Sequence, residues 1–163
     1  MQIRPAHHAD LPGILEIYNE AVLNTTATYD YEPGTLEQRL AWFEEHVKKD
    51  YAVFVAQNEQ GRIVGWSALN LFRDRAGYRF TTENSVYVAV DQRGCGIGKL
   101  LMPPLLAAAR ARGLHAILAG IDAENEASIR LHASFGFDKV ACLKQVGFKF
   151  GRWLDVVYME LLL

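Results

Sequence analysis

The sequence predicts a mixed α/β fold, a mostly antiparallel sheet of about seven strands flanked by about four helices. Three observations carry this expectation. Strand-like apolar runs alternate with amphipathic helical runs through the middle of the chain. Hairpin-like strand pairs lie on either side of that middle. Strands hand over to helices at turns punctuated by glycine.

The elements follow in order. Residues 1–4 are short and apolar enough for an opening strand. Asp10 reads as a helix N-cap, with Pro12 tolerated in the first turn. Ile14, Ile17, Tyr18, Ala21 and Val22 recur at i, i+3, i+4, i+7 and i+8, which predicts an amphipathic helix ending near Asn24. Residues 25–34 are polar and aromatic, close on Pro33-Gly34, and read as loop. Thr35-Leu36-Glu37-Gln38 matches a capping box, and Leu36, Leu40, Phe43 and Val47 supply the apolar face of a second helix. Residues 51–57 and 63–72 form an antiparallel pair about the loop 58–61. Residues 85–90 are strongly strand-like, 91–98 a glycine-rich turn, and 99–112 a helix stopped by Gly113. Pro103-Pro104 inside that helix predict a kink near residues 101–105. Residues 116–121 read as a buried strand and 125–135 as a helix stopped by Gly136. Residues 140–143 and 153–161 are the last strands, joined by a loop around Gly147 and Gly151.

Composition bounds the function. The chain has 163 residues, 50% hydrophobic and 22% charged, with a formal net charge of -2. This length reads as one domain spanning 1–163, able to bury roughly two-thirds of its unfolded surface. The balance excludes a disordered tail, a coiled coil and a collagen-like rod, and argues against a dedicated nucleic-acid binder. No apolar run approaches the roughly 18 residues that span a bilayer, and the N-terminus lacks a signal-peptide core. Cys95 and Cys142 suggest neither a disulfide framework nor a zinc knuckle, and His7, His8, His46 and His115 show no ligand spacing. The expectation is a soluble cytoplasmic enzyme with no metal, nucleic acid or membrane as partner.

Arg93-Gly94-Cys95-Gly96-Ile97-Gly98-Lys99 lies between a strand and a helix. Backbone N–H groups in such a turn, added to a helix N-terminus, form an anion-binding nest. A dinucleotide fingerprint would put its third glycine at Lys99, and a nucleotide P-loop would need glycine at 93 and a hydroxyl residue at 100, so both patterns fail. The pattern [Q/R]-x-x-G-x-[G/A] is met by Arg93, Gly96 and Gly98. With it, the chain resembles the GNAT superfamily of acetyl-CoA-dependent N-acetyltransferases. Asn125 through Phe137, with Ser128, His132 and Gly136 at their positions, resembles a second segment of that superfamily. The stretches around Glu83-Asn84-Ser85-Val86-Tyr87-Val88 and Gln145-Val146-Gly147-Phe148-Lys149 are similar to the phosphinothricin and methionine sulfone/sulfoximine acetyltransferase branch.

The resemblance implies the GNAT fold, acetyl-CoA as co-substrate and a small amino-acid analogue as acceptor, acetylated by direct transfer in a ternary complex. It implies CoA contacts from Val88, Ala89, Val90, Arg93, Gly94, Cys95, Gly96, Ile97, Gly98, Lys99, Asn125 and Ser128. Strand alternation puts Glu83, Ser85 and Tyr87 on one face, and Glu83 is the candidate base for an amine that must lose a proton to attack. His132 stands where the superfamily commonly has tyrosine and is the candidate acid for the departing thiolate. Arg73 and Arg75 are candidates to clamp the acceptor's carboxylate, with Phe72, Tyr78 and Tyr87 as pocket walls. The branch further implies a homodimer in which residues 145–153 bring Lys149 and Phe150 near the partner's active site. Two alternatives stand beside this reading: acetylation of a protein N-terminus or another amine, and a CoA-binding module without turnover.

Overall fold

The computed structural model describes residues 1–163 and has its elements in the predicted order. Strand β1 (Gln2–Pro5) leads to helices α1 (Leu11–Asn24) and α2 (Leu36–Lys48), then to the meander β2 (Val53–Gln57), β3 (Ile63–Leu71) and β4 (Thr81–Val88). Helix α3 (Ile97–Ala111), strand β5 (Ala116–Asp122), helix α4 (Glu126–Ala133) and strands β6 (Asp138–Lys149) and β7 (Arg152–Leu162) complete the chain. The strands make one sheet in the order β1-β2-β3-β4-β5-β7-β6, antiparallel throughout except for β4 with β5. One face is covered by α1 and α2 over Ile14, Ile17, Phe43, Val55 and Trp66. The other is covered by α3 and α4 over Met102, Leu105, Ile117, Phe137 and Val157.

The parallel pair positions the site. It joins only Thr81, Thr82 and Glu83 to Ala116, Ile117 and Leu118. Beyond Glu83, β4 runs on to Val88 and β5 to Asp122 without pairing with each other, so the sheet opens into a wedge at its centre. β4 also begins earlier than the residue pattern suggests, which puts Glu83 inside the strand rather than at its end.

Several expected details resolve differently. Asp10 precedes α1 as predicted, but its carboxylate does not cap that helix. It is held instead by Arg4 Nη1 and Nη2 at 2.7 and 2.8 Å and by the His7 N–H at 2.8 Å, a charge-assisted fork that fixes the carboxylate away from the α1 amides. The capping box at Thr35 and Gln38 forms in both directions. The buried side of α2, however, is Arg39, Phe43 and His46, while Leu36, Leu40 and Val47 are exposed. The neighbours explain this. Tyr18, Trp42 and Trp66 offer aromatic faces to the Arg39 guanidinium, and Trp42 O and Asn70 Oδ1 lie 2.8 and 3.1 Å from the His46 ring nitrogens.

The expected loop around Gly147 is strand. β6 continues to Lys149 through a register shift between Leu143 and Gly147, with Gln145 at φ 54. Asp155 absorbs the bulge: its carboxylate accepts from the Gln145 N–H and the Lys144 ammonium, each at 2.9 Å. The hairpin then turns on Phe150 and Gly151 alone, both at positive φ. Helix α3 stays helical through Pro103 and Pro104, which remove the donors that would otherwise reach the Lys99 and Leu100 carbonyls.

Candidate active site

The wedge is a cleft of about 1120 Å³ between β4, β5 and the N-termini of α3 and α4. Its first asset is bare backbone. The Ala89 N–H bonds the Val64 carbonyl of the β3 segment at 3.0 Å. Antiparallel alternation therefore turns the N–H and C=O of Val86 and Val88 away from β3 and toward the wedge. Of these, the Val88 carbonyl accepts from Arg93 Nε at 3.3 Å. Ala89 is buried, its amide already committed, while Val90 is exposed and stands outside the cleft lining. Val86 is not among the CoA contacts that the resemblance implies, although the same alternation that exposes Val88 points to it.

The second asset is the turn into α3. Gly94 and Gly96 sit at φ 78 and 81, a left-handed conformation that glycine adopts without strain. The turn and the first helical amides face the cleft, lined by Arg93, Gly94, Gly96, Ile97, Gly98 and Lys99, whereas Cys95 is exposed and points elsewhere. Gly98 has a different reason to lack a side chain. A Cβ there would meet Leu131 Cδ2 at 3.0 Å, so Gly98 lets α3 and α4 approach. Asn125 caps α4 through Ser128 N at 3.1 Å and lines the opposite wall together with Ser128. Arg93 is tied across the mouth to Glu20.

Glu83 stands where the wedge begins to open. Its carboxylate is half-buried, no side-chain hydrogen bond holds it, and burial alone pushes its pKa above the ordinary carboxylate range. Gly120 across the gap makes the room, since a Cβ there would lie 3.2 Å from Glu83 Oε1. An unpaired, partly desolvated carboxylate in a cleft is a group poised to take a proton.

His132 is arranged otherwise. Asn84 Nδ2 lies 2.9 Å from its Nε2, and its Nδ1 lies 2.8 Å from the Ser128 carbonyl. The amide nitrogen can only donate and the carbonyl only accept, so the ring carries its proton on Nδ1. Burial lowers its pKa, so the ring is held neutral, and it stands edge-on to Phe137 at 5.1 Å. Both nitrogens are thus spent within the protein.

The loop between α1 and α2 roofs the cleft. Tyr87 OH donates to Ala27 O at 3.1 Å, Lys149 Nζ donates to Thr28 O at 2.7 Å, and Tyr31 OH donates to Phe148 O. Lys149 is buried, and burial lowers its pKa. Phe150 lines the cleft of its own chain. On the α1–α2 face a second cavity of about 490 Å³ shares Ser85 and Tyr87 with the wedge. Tyr87 stacks on Trp66 at 4.8 Å between the two spaces, and its burial raises the phenol pKa. Phe72, Arg73, Arg75 and Tyr78 line neither cavity. Arg73 instead lies over the Phe72 and Tyr78 rings at 5.2 and 5.7 Å on the exposed turn after β3.

Comparison with known proteins agrees with this geometry. Residues 3–158 match the acetyltransferase (GNAT) domain family. The L-methionine sulfoximine/L-methionine sulfone acetyltransferase of Pseudomonas paraeruginosa is 47% identical over 159 residues, 98% of this chain and 92% of the relative. The crystal structure of ribosomal-protein-alanine N-acetyltransferase from Brucella melitensis superposes with a TM-score of 0.97 at 47% identity, covering 100% of both chains. A GNAT superfamily phosphinothricin acetyltransferase from Sinorhizobium meliloti, solved in complex with AcCoA, superposes with a TM-score of 0.96 at 38% identity, covering 99% of this chain and 88% of that one. A split sheet, a glycine nest at a helix start and this likeness along the whole chain lead to one conclusion: the chain belongs to the GNAT acetyltransferase family.

Proposed function

We propose that this chain, as one domain spanning 1–163, transfers the acetyl group of acetyl-CoA to the α-amine of a small amino-acid analogue. Methionine sulfone, methionine sulfoximine and phosphinothricin are the acceptor types, following the relatives' names. The observation that carries the reading is the unpaired Glu83 carboxylate at the apex of a cleft whose other end is an anion nest. The nest at Gly94–Gly98 with Lys99 suits the pyrophosphate of CoA. The free edge of β4 suits the amide-bearing pantetheine arm as an added strand.

In this mechanism Glu83 takes the proton of the attacking amine, directly or through one water. The Val88 N–H faces the place where negative charge develops on the acetyl oxygen. The new C–N bond forms as the C–S bond breaks, and the sulfur leaves with the electron pair. His132, the acid expected from the resemblance, has its proton committed to the Ser128 carbonyl, which supports a role in fixing Asn84 instead.

Phe72, Arg73, Arg75 and Tyr78 remain candidates for the acceptor pocket in a homodimer, in which Lys149 and Phe150 border the neighbouring site. The apolar exposure of Val140, Leu143, Val146, Phe148 and Trp153 on β6 and β7 supports such a pairing. The likeness to a ribosomal-protein-alanine acetyltransferase favours a peptide N-terminus as second reading. A thiol-release assay over amino acids, their sulfone, sulfoximine and phosphinate analogues, and alanine-headed peptides decides. Highest kcat/KM on free amino-acid analogues supports the proposal, and highest kcat/KM on peptides overturns it. Binding of acetyl-CoA without turnover of any amine would identify a non-catalytic module.

A further inference from the structure

Arg39 is a buried cation that makes no salt bridge. It enters the second cavity from α2, is 8% exposed, and its guanidinium lies 4.5, 4.6 and 5.6 Å from the rings of Tyr18, Trp42 and Trp66. Its Nε is buried with no hydrogen-bond partner. Burying a cation costs heavily, and aromatic faces return only part of that cost. A fork of N–H donors lining an open cavity and held among three aromatic rings is an acceptor-binding site in waiting.

We propose that Arg39 is the specificity residue for the acceptor's side chain, donating to the paired oxygens of a sulfone or to the oxygen and imine nitrogen of a sulfoximine. The inference rests on the amino-acid reading given above. Ser85 follows Glu83 by two residues on the same face of β4, about 6.7 Å farther along the strand. In methionine sulfone the sulfur is four bonds from the amine, about 5 Å when extended. An amine held at Glu83 therefore delivers the sulfur group to the cavity that Ser85 shares with Arg39. Charge refines the choice. Asp30 and Glu32 line the same cavity, and Asp30 acts electrostatically on Arg39. Two carboxylates lining the cavity of one guanidinium oppose a full anion and accept a neutral dipole. The site thus selects sulfonyl and sulfoximine groups over phosphinate or carboxylate, and over a thioether, which is only a weak acceptor.

The test compares kcat/KM for L-methionine sulfone, L-methionine and L-phosphinothricin in wild type, Arg39→Met and Arg39→Lys. Wild type should prefer the sulfone. Arg39→Met should lose about ten- to hundredfold on the sulfone while staying within about twofold on methionine, with the KM for acetyl-CoA unchanged. Arg39→Lys, which keeps charge but not the fork, should show the same selective loss in smaller measure and serves if the Met variant does not accumulate. Equal losses on sulfone and methionine would mean that Arg39 binds the shared α-carboxylate or holds the fold, and would overturn the proposal. Unchanged selectivity, or a wild-type preference for phosphinothricin, would overturn it too. If wild type acetylates peptides but no free amino acid, the amino-acid reading itself has failed.

Discussion

At the scale of single residues, the site turns on two ionisable groups driven apart by their surroundings. Burial raises the pKa of Glu83 and lowers that of His132, so one is a base of increased strength and the other a neutral ring. Glu83→Gln is expected to lower kcat at least about tenfold, with little change in acetyl-CoA affinity. In wild type, kcat/KM should fall as pH drops through the raised pKa of Glu83, above the ordinary value of about 4.3, and that acid limb should vanish in the Gln variant. The same shift acts on the fold with a definite sign. A carboxyl whose folded pKa exceeds its unfolded one binds more protons when folded, so stability declines as pH rises through that interval. Glu83→Gln should therefore raise Tm at neutral pH even as it removes activity. For His132→Ala, loss of the Asn84 partner should cost about 1–3 kcal/mol in urea unfolding while leaving the basic limb of the pH–rate profile in place. Disappearance of that limb would restore the acid role. Glu83 was legible because strand alternation and the local motif agree. The tautomer of His132 was not, because it depends on Asn84, 48 residues earlier in the chain.

At the scale of elements, the order of strands and helices was readable from periodicity, but the inward face of α2 was not. Leu36, Leu40 and Val47 look like a core stripe, yet aromatic rings on α1 and β3 accept Arg39, and the Trp42 carbonyl and Asn70 amide accept His46. Sequence spacing registers hydrophobicity and cannot register a cation that finds aromatic partners. The β6–β7 turn was likewise hidden, since Gly147 and Gly151 suggested a loop where Asp155 holds a bulge together. The turn itself carries a cost. Phe150 sits at φ 51 in the first of two positions that favour Asn-Gly, yet its ring lines the cleft. Phe150→Asn should keep or raise Tm and increase the KM for the acceptor. A fall in Tm with unchanged KM would show that Phe150 serves the hairpin rather than the site. At the other wall, Gly98→Ala should push α3 from α4 by way of Leu131, weakening acetyl-CoA binding in calorimetry while the KM for the acceptor changes less.

At the scale of the whole molecule, the net charge of -2 gives no hint of an anionic ligand. The compensation is local. Lys99 borders the cleft outside any salt bridge, and Arg93, Arg130 and Arg152 border it in surface pairs with Glu20, Glu126 and Glu124, so binding should weaken as salt rises more than the overall charge implies. The apolar outer surface of the β6–β7 hairpin predicts a dimer in sedimentation, and Trp153→Lys should shift it toward monomer. The wedge has one more consequence. Between β4 and β5 the resting sheet lacks a strand's worth of hydrogen bonds, so the amides of Val86 and Val88 are interior positions that behave like an edge. Hydrogen exchange at those two amides should be rapid in the free protein and slow sharply with acetyl-CoA. The donor then acts as a transient member of the sheet, so thermal resistance tracks its concentration and is surrendered at each product release.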